Sequence, residues 1–158
     1  MASRPPTAAK ASTASCGLLF FRLSRASGEG LGGKLAEIDM RQPEFAILHQ
    51  LDDAGPISQQ ALGRALRIHP SNLVAMIDDL EEAGLLLRHR DKADRRRYLL
   101  ELTDRGRLRL EQAHRRALEA ELELLSPLNK RERDQLRALL GRLATHSCTP
   151  RDRCGPAD

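Results

Sequence analysis

Apolar and polar positions repeat with helical period over most of the chain, and the exceptions are short. From Pro43, the stretch PEFAILHQL places Phe45, Leu48 and Leu51 at helical spacing. This predicts a helix with Pro43 in its first position that ends near Gly55-Pro56. Ile57 suits a short strand stub. Ser58 is a good N-cap for QQALGRAL, whose Ala61, Leu62, Ala65 and Leu66 make one apolar face. After a turn at Arg67-Ile68-His69, Pro70 opens the helix PSNLVAMIDDLEEA. That helix turns Leu73, Ile77 and Leu80 inward and stops at Gly84, with Leu85 behind it. Residues 85–88 and 98–102 read as two strands joined by a polar loop, which is a hairpin. Thr103 caps a long helix to about residue 125, and Ser126-Pro127 break it. Asn129 and Glu132 then start a last helix that carries Leu136, Leu139, Leu140 and Leu143 as a stripe. The fold class is mainly α with a small β-hairpin.

The N-terminal part is less regular. LLFFRL, residues 18–23, starts a helix, and SGEGLGG, residues 27–33, is read as a flexible kink or break between two helical pieces. Gly28, Gly30 and Gly33 satisfy G-x-G-x-x-G literally. A dinucleotide site needs a strand before that motif and a βαβ unit around it, and neither is present. Residues 1–14 are basic, lack acids and contain no apolar core, so they are read as a disordered tail rather than a transit peptide. Residues 148–158 are read as a flexible tail.

Composition narrows the class. The 158 residues are 41% hydrophobic and 30% charged, with 3% aromatics and no Trp, so the core must be built from Leu, Ala and Ile. No apolar run approaches the length of a membrane span. Three cysteines, Cys16, Cys148 and Cys154, are an odd count with no secretory signal, which fits a reducing cytoplasm. Cys148 and Cys154 lack a matching His/Cys cluster, so no metal and no cofactor is expected. His49, His69, His89, His114 and His146 are scattered, and no nucleophile sits beside a suitable base, so no enzyme is expected.

Charge supplies the function. Arg88, Arg90, Lys92, Arg95, Arg96 and Arg97 stand against Asp91 and Asp94 in ten residues, a net +4 that equals the formal charge of the whole chain. The positive excess therefore sits in the loop of the hairpin. Two short helices followed by a hairpin with a basic tip make a winged helix-turn-helix, and this arrangement fits double-stranded DNA. The second helix of such a pair enters the major groove with its N-terminal residues, here His69, Pro70, Ser71, Asn72, Val74 and Ala75. Asn pairs with adenine, Ser donates to base or phosphate, and Val or Ala touches a thymine methyl. Ser58 and Gln59, at the start of the preceding helix, complete the DNA-facing set. The positive end of a helix dipole also favours phosphates. The basic hairpin suits the flanking minor groove.

From residue 42 to about 110 the chain resembles the MarR family of bacterial transcription regulators. The resemblance is carried by PEFAILHQL, GPISQQALGRAL and HPSNLVAMIDDLEEAGLLLRHRDKADRRRYLLELTDRG. Its D-x-R is Asp94-Arg95-Arg96, followed by the closing Leu102-Thr103. The resemblance implies a homodimer with interleaved terminal helices acting on a palindromic operator. It also implies that Arg96 reaches into the minor groove while Asp94 holds the wing arginines; the neighbouring Arg88, Arg90 and Lys92 are expected to be phosphate partners or free. It further implies repression of nearby genes and a small aromatic or phenolic effector bound between the dimer region and the DNA-binding lobe. On this reading residues 15–147 form one domain, with the winged helix-turn-helix at about 42–103 and dimerisation helices at about 15–38 and 104–146.

Two departures stand out. His69 occupies a position that often carries Asp or a similar cap, and the glycines at 28, 30, 32 and 33 are unusual in a helix that normally runs unbroken. Two alternatives remain. One is a thiol-based peroxide sensor of the same fold, with Cys16 as the reactive group, although the single tyrosine, Tyr98, lies in the wing. The other is a winged-helix protein-interaction module without DNA binding; the basic wing argues against it.

Overall fold

The computed structural model describes residues 14–91, 94 and 98–147. Six helices and three short strands follow in the order α1 (Cys16–Ala36), α2 (Gln42–Ala54), β1 (Ile57–Ser58), α3 (Gln59–Leu66), α4 (Pro70–Glu82), β2 (Leu86–Arg90), β3 (Tyr98–Leu102), α5 (Asp104–Leu124) and α6 (Lys130–Ser147). The strands form one antiparallel sheet in the order β1-β3-β2, with Ile57 opposite Leu100 and Arg88 also opposite Leu100 from the other side. The Ile57 stub thus becomes the third strand behind the hairpin.

The core is aliphatic, as the composition requires. Ile47, Leu48, Leu62, Leu73, Ile77, Leu86 and Leu100 are fully or almost fully buried, joined by Leu35 from α1 and Leu110 and Ala113 from α5. The capping chemistry follows the sequence. Ser58 Oγ accepts from the Ala61 N–H at 3.2 Å. Asn129 and Glu132 bond reciprocally, at 2.8 and 3.1 Å. α4 ends in a Schellman motif: Gly84, at φ 69°, donates its N–H to Glu81 O, and Leu85 donates to Leu80 O, each at 2.9 Å. Two boundaries shift. α2 starts at Gln42, so Pro43 is its second residue, and Arg41 is the cap, its N–H donating to Glu44 Oε2 at 2.7 Å. β2 starts one residue later than the pattern predicts and runs two further, because pairing with β3 continues through His89–Leu99 and Arg90–Tyr98.

The larger correction concerns the glycine run. α1 is continuous from Cys16 to Ala36 through Gly28, Gly30, Gly32 and Gly33, with no break into two helical pieces. Each glycine costs a helix about 1 kcal/mol relative to alanine, but tertiary contacts outweigh this here. Leu35, beyond the glycines, is fully buried. A Cβ on Gly30 would lie 4.0 Å from Ala120 Cβ, so small residues let α1 lie close along α5. The Gln42 side-chain amide also donates to Gly28 O, tying α1 to the start of α2.

Gly33 has an exposed position and nothing within 4 Å of a built Cβ. Gly33→Ala should therefore stabilise the fold by about 0.5–1 kcal/mol, read as a higher denaturant midpoint at unchanged slope. A lower midpoint would show that α1 does not run straight at this point.

Candidate nucleic-acid interface

The second helix of the pair, α4, sorts its residues as an amphipathic helix must. Leu73, Ile77 and Leu80 are buried. Ser71, Asn72, Val74 and Ala75 are exposed, together with Pro70, and form the outer face of its first two turns. Val74 is 42% exposed although apolar, on a face otherwise polar or small.

His69 is the N-cap of α4. Its Nδ1 lies 2.8 Å from Ser71 Oγ and accepts from the Ser71 N–H at 3.4 Å. With Nδ1 as acceptor, the neutral ring carries its proton on Nε2, which leaves an N–H donor free of the cap. At the start of α3, Ser58 and Gln59 are half-buried. The Ser58 oxygen is engaged as a cap, but its O–H can still donate.

The C-terminal half of α4 is acidic, and an acidic helix end would repel phosphates. Three of its carboxylates are held by arginines from other elements. Arg41, before α2, reaches Asp79 at 3.1 Å and Glu44 at 2.7 Å. Arg88, on β2, binds both Asp78 and Glu81 through its guanidinium. Its backbone N–H also donates to Glu81 Oε1 at 3.2 Å. Partial burial disfavours the charge on Arg88, yet the hydrogen bond it donates to Asp78 and the charge of Glu81 outweigh this, so its pKa lies above the usual arginine value. For Arg41 the hydrogen bonds to Glu44 and then Asp79 act in the same direction.

Of the expectation that Arg88 is a phosphate partner or free, the second half is corrected, since the side chain is paired. Its side chain is turned inward, 26% exposed, onto two acids of α4. Sequence reading counted Arg88 with the loop cluster because no local period links residue 88 to residues 78 and 81. Arg41 and Asp79 were missed for the same reason, being 38 residues apart.

At the root of the wing, the Arg90 guanidinium carbon sits 5.5 Å from the centre of the Tyr98 ring, which stacks the last paired residues of the hairpin. His89 Nε2 lies 3.1 Å from Glu101 Oε2 on the neighbouring strand. Asp94 is exposed. Lys92, Arg95, Arg96 and Arg97 lie outside the described residues, as do Cys148 and Cys154. Cys16 is exposed in the first turn of α1.

Thr103 fastens α5 to the lobe. Its Oγ1 accepts from the Gly106 N–H at 3.0 Å and donates to Gly84 O at 2.7 Å, and its N–H donates to Leu85 O at 3.2 Å. Between α5 and the ends of α2 and α4 lies a cavity of about 430 Å³. Met40, Leu80, Leu85 and Leu108 line it with apolar side chains, Arg105 and Arg109 are its basic lining residues, and Asp39, Glu44 and Asp79 its acidic ones. Arg109 is engaged with the carbonyl oxygens of Ile38 and Asp39, whereas Arg105 has no ion pair with any described residue.

The helices outside this lobe expose apolar faces. Phe21 is 69% exposed on α1, and Leu139, Leu140 and Leu143 are exposed along α6. Among the described residues no helix is long and apolar enough to cross a membrane.

Residues 40–98 match the profile of the MarR family. The HTH-type transcriptional regulator PecS of Dickeya dadantii is 39% identical over 106 residues, which span 65% of this chain and 64% of PecS. The uncharacterized HTH-type transcriptional regulator YkoM of Bacillus subtilis is 35% identical over 104 residues, 66% of this chain and 68% of YkoM. Among solved structures, a mutant MarR from E. coli complexed with operator DNA superposes with a TM-score of 0.66 at 26% identity, covering 80% of this chain and 91% of that one.

Proposed function

This chain belongs to the MarR family of winged helix-turn-helix regulators, and on that premise we propose that it is a sequence-specific, double-stranded DNA-binding transcription regulator. It acts as a cytoplasmic homodimer on a palindromic operator, as a ligand-responsive repressor without catalytic chemistry. The observation that carries this reading is the outer face of α4. It presents Ser71, Asn72, Val74 and Ala75 behind a histidine cap, while Asp78, Asp79 and Glu81 farther along the helix are neutralised by arginines. Such a face offers donors, an acceptor and methyl contacts to the major groove. The basic wing adds Arg90, Lys92, Arg95 and Arg96 for phosphates and the minor groove, with Asp94 holding the wing arginines. Footprinting on the DNA upstream of its own gene tests the reading. Protection of two half-sites is expected, and no protected segment at low salt would overturn it.

The homodimer rests on the exposed apolar faces of α1 and α6. Among the described residues Phe21 is 69% and Leu143 50% exposed, and a two-fold partner would bury both. Phe21→Asp combined with Leu143→Asp is expected to give a monomer by light scattering at micromolar concentration, with operator affinity reduced at least ~10-fold. A wild-type monomer that binds DNA equally well would contradict this.

The effector reading rests on the cavity beneath α5. Its size suits a small molecule, its walls suit an aromatic ring, and Arg105 suits a carboxylate or phenolate. An aromatic acid that fits is expected to raise the melting temperature and release DNA, and Arg105→Gln to weaken both responses. If a broad panel of aromatic acids and phenols changes neither, no effector acts through this cavity.

A further inference from the structure

We infer that Arg88 is a positioning residue, which fixes the wing against the recognition helix by gripping Asp78 and Glu81, and that it makes no phosphate contact. The inference rests on the DNA-binding reading above. Asp78 and Glu81 are three residues apart and so lie on one face of α4, side by side. Arg88 sits in the middle of β2, opposite the buried Leu100, at the point where the hairpin passes that face. The planar guanidinium reaches both carboxylates at once, one through each terminal nitrogen. Glu81 also receives the Arg88 backbone N–H, so the grip holds the strand itself and not only the end of a long side chain. Beyond this point, among the described residues, pairing continues through His89 and Arg90. The angle at which the wing leaves the lobe is therefore set where Arg88 meets α4. A shift there moves β2 and β3 relative to the face carrying Ser71, Asn72 and Val74.

Two other accounts of Arg88 make different forecasts. Were it a phosphate contact, lysine would replace it well, because lysine binds phosphate as a point charge. Were its only task to offset the acids, removing those acids would strengthen DNA binding, since two negative charges near the phosphates would be gone. A two-acid grip forecasts the reverse in both cases, because lysine lacks the fork and the neutral amides lose the charge-assisted bonds.

The experiment uses the full-length protein and a duplex that the wild type selects from a randomised pool. Arg88→Lys and the double variant Asp78→Asn/Glu81→Gln are titrated on that duplex and on a scrambled one across a range of salt. Both variants are expected to lose roughly tenfold in affinity for the selected duplex. Affinity for scrambled DNA should stay the same or rise, and the salt slope should stay that of the wild type. Amide hydrogen exchange without DNA should be faster along β2 and β3 in both variants, with the melting transition retained. Wild-type affinity in Arg88→Lys, tighter selected-duplex binding by the double variant, or unchanged exchange along β2 would each overturn the inference. A wild-type protein that selects no duplex would overturn the DNA-binding reading instead, while hydrogen exchange would still report on the grip.

Discussion

Gly106→Ala is expected to destabilise the protein by roughly 1–3 kcal/mol or more, although the same change in an open helix is worth about 1 kcal/mol of added stability. Gly106 lies in the first turn of α5, and a Cβ there would fall 1.9 Å from Leu85 O and 3.2 Å from Leu102 Cδ2. The closest obstacle is backbone, at the junction of α4 and β2, so it cannot rotate aside. Relief requires α5 to lift away, and lifting breaks the Thr103 bonds to Gly84 and Leu85 that hold its first turn. The cost reaches function as well, since α5 leads from the wing toward the exposed apolar faces. Chemical denaturation reads the effect as a lower midpoint, in contrast to the rise expected for Gly33→Ala. A Gly106→Ala protein as stable as the wild type would mean that α5 does not pack this closely on Leu85.

The second large effect is on DNA. Arg96→Ala should weaken operator binding by roughly 1–3 kcal/mol per half-site and reduce the preference for A·T pairs beside the major-groove contacts, because arginine reads a narrow minor groove. Lys92→Ala should instead weaken all duplexes about equally and lower the salt slope by about one per site neutralised. Neither change should move the melting temperature, since the aliphatic core is built mainly from residues of the helices and of the paired strands. Parallel titrations on operator and random DNA separate the two residues. The assignment fails if Arg96→Ala binds operator like the wild type.

Most of the lobe was legible because its signals are local. Ser58, Pro70, Gly84, Thr103 and Asn129 each mark a helix end by their own chemistry, and the buried positions of α4 follow from a single helical period. Three features were not legible. The glycines of α1 read as a break because their cost is local, whereas what offsets it comes from Ala120, Gln42 and the burial of Leu35. Arg88 read as one more cation in a basic loop because its partners lie on another element. Gly106 stood in plain view in the stretch LTDRG, but only the approach of Leu85 gives it a reason. In each case a local tendency was overridden by a contact with another element, and such contacts do not appear in periodicity.

The central claim is that the α4 face and the wing together read duplex DNA, and selection from a randomised duplex pool tests it most directly. The full-length wild-type protein is expected to enrich a palindrome whose half-sites lie about one helical turn apart, roughly 34 Å. The logarithm of its affinity should then fall linearly with the logarithm of salt. A pool that remains random after repeated rounds, with no binding even at low salt, would contradict the account.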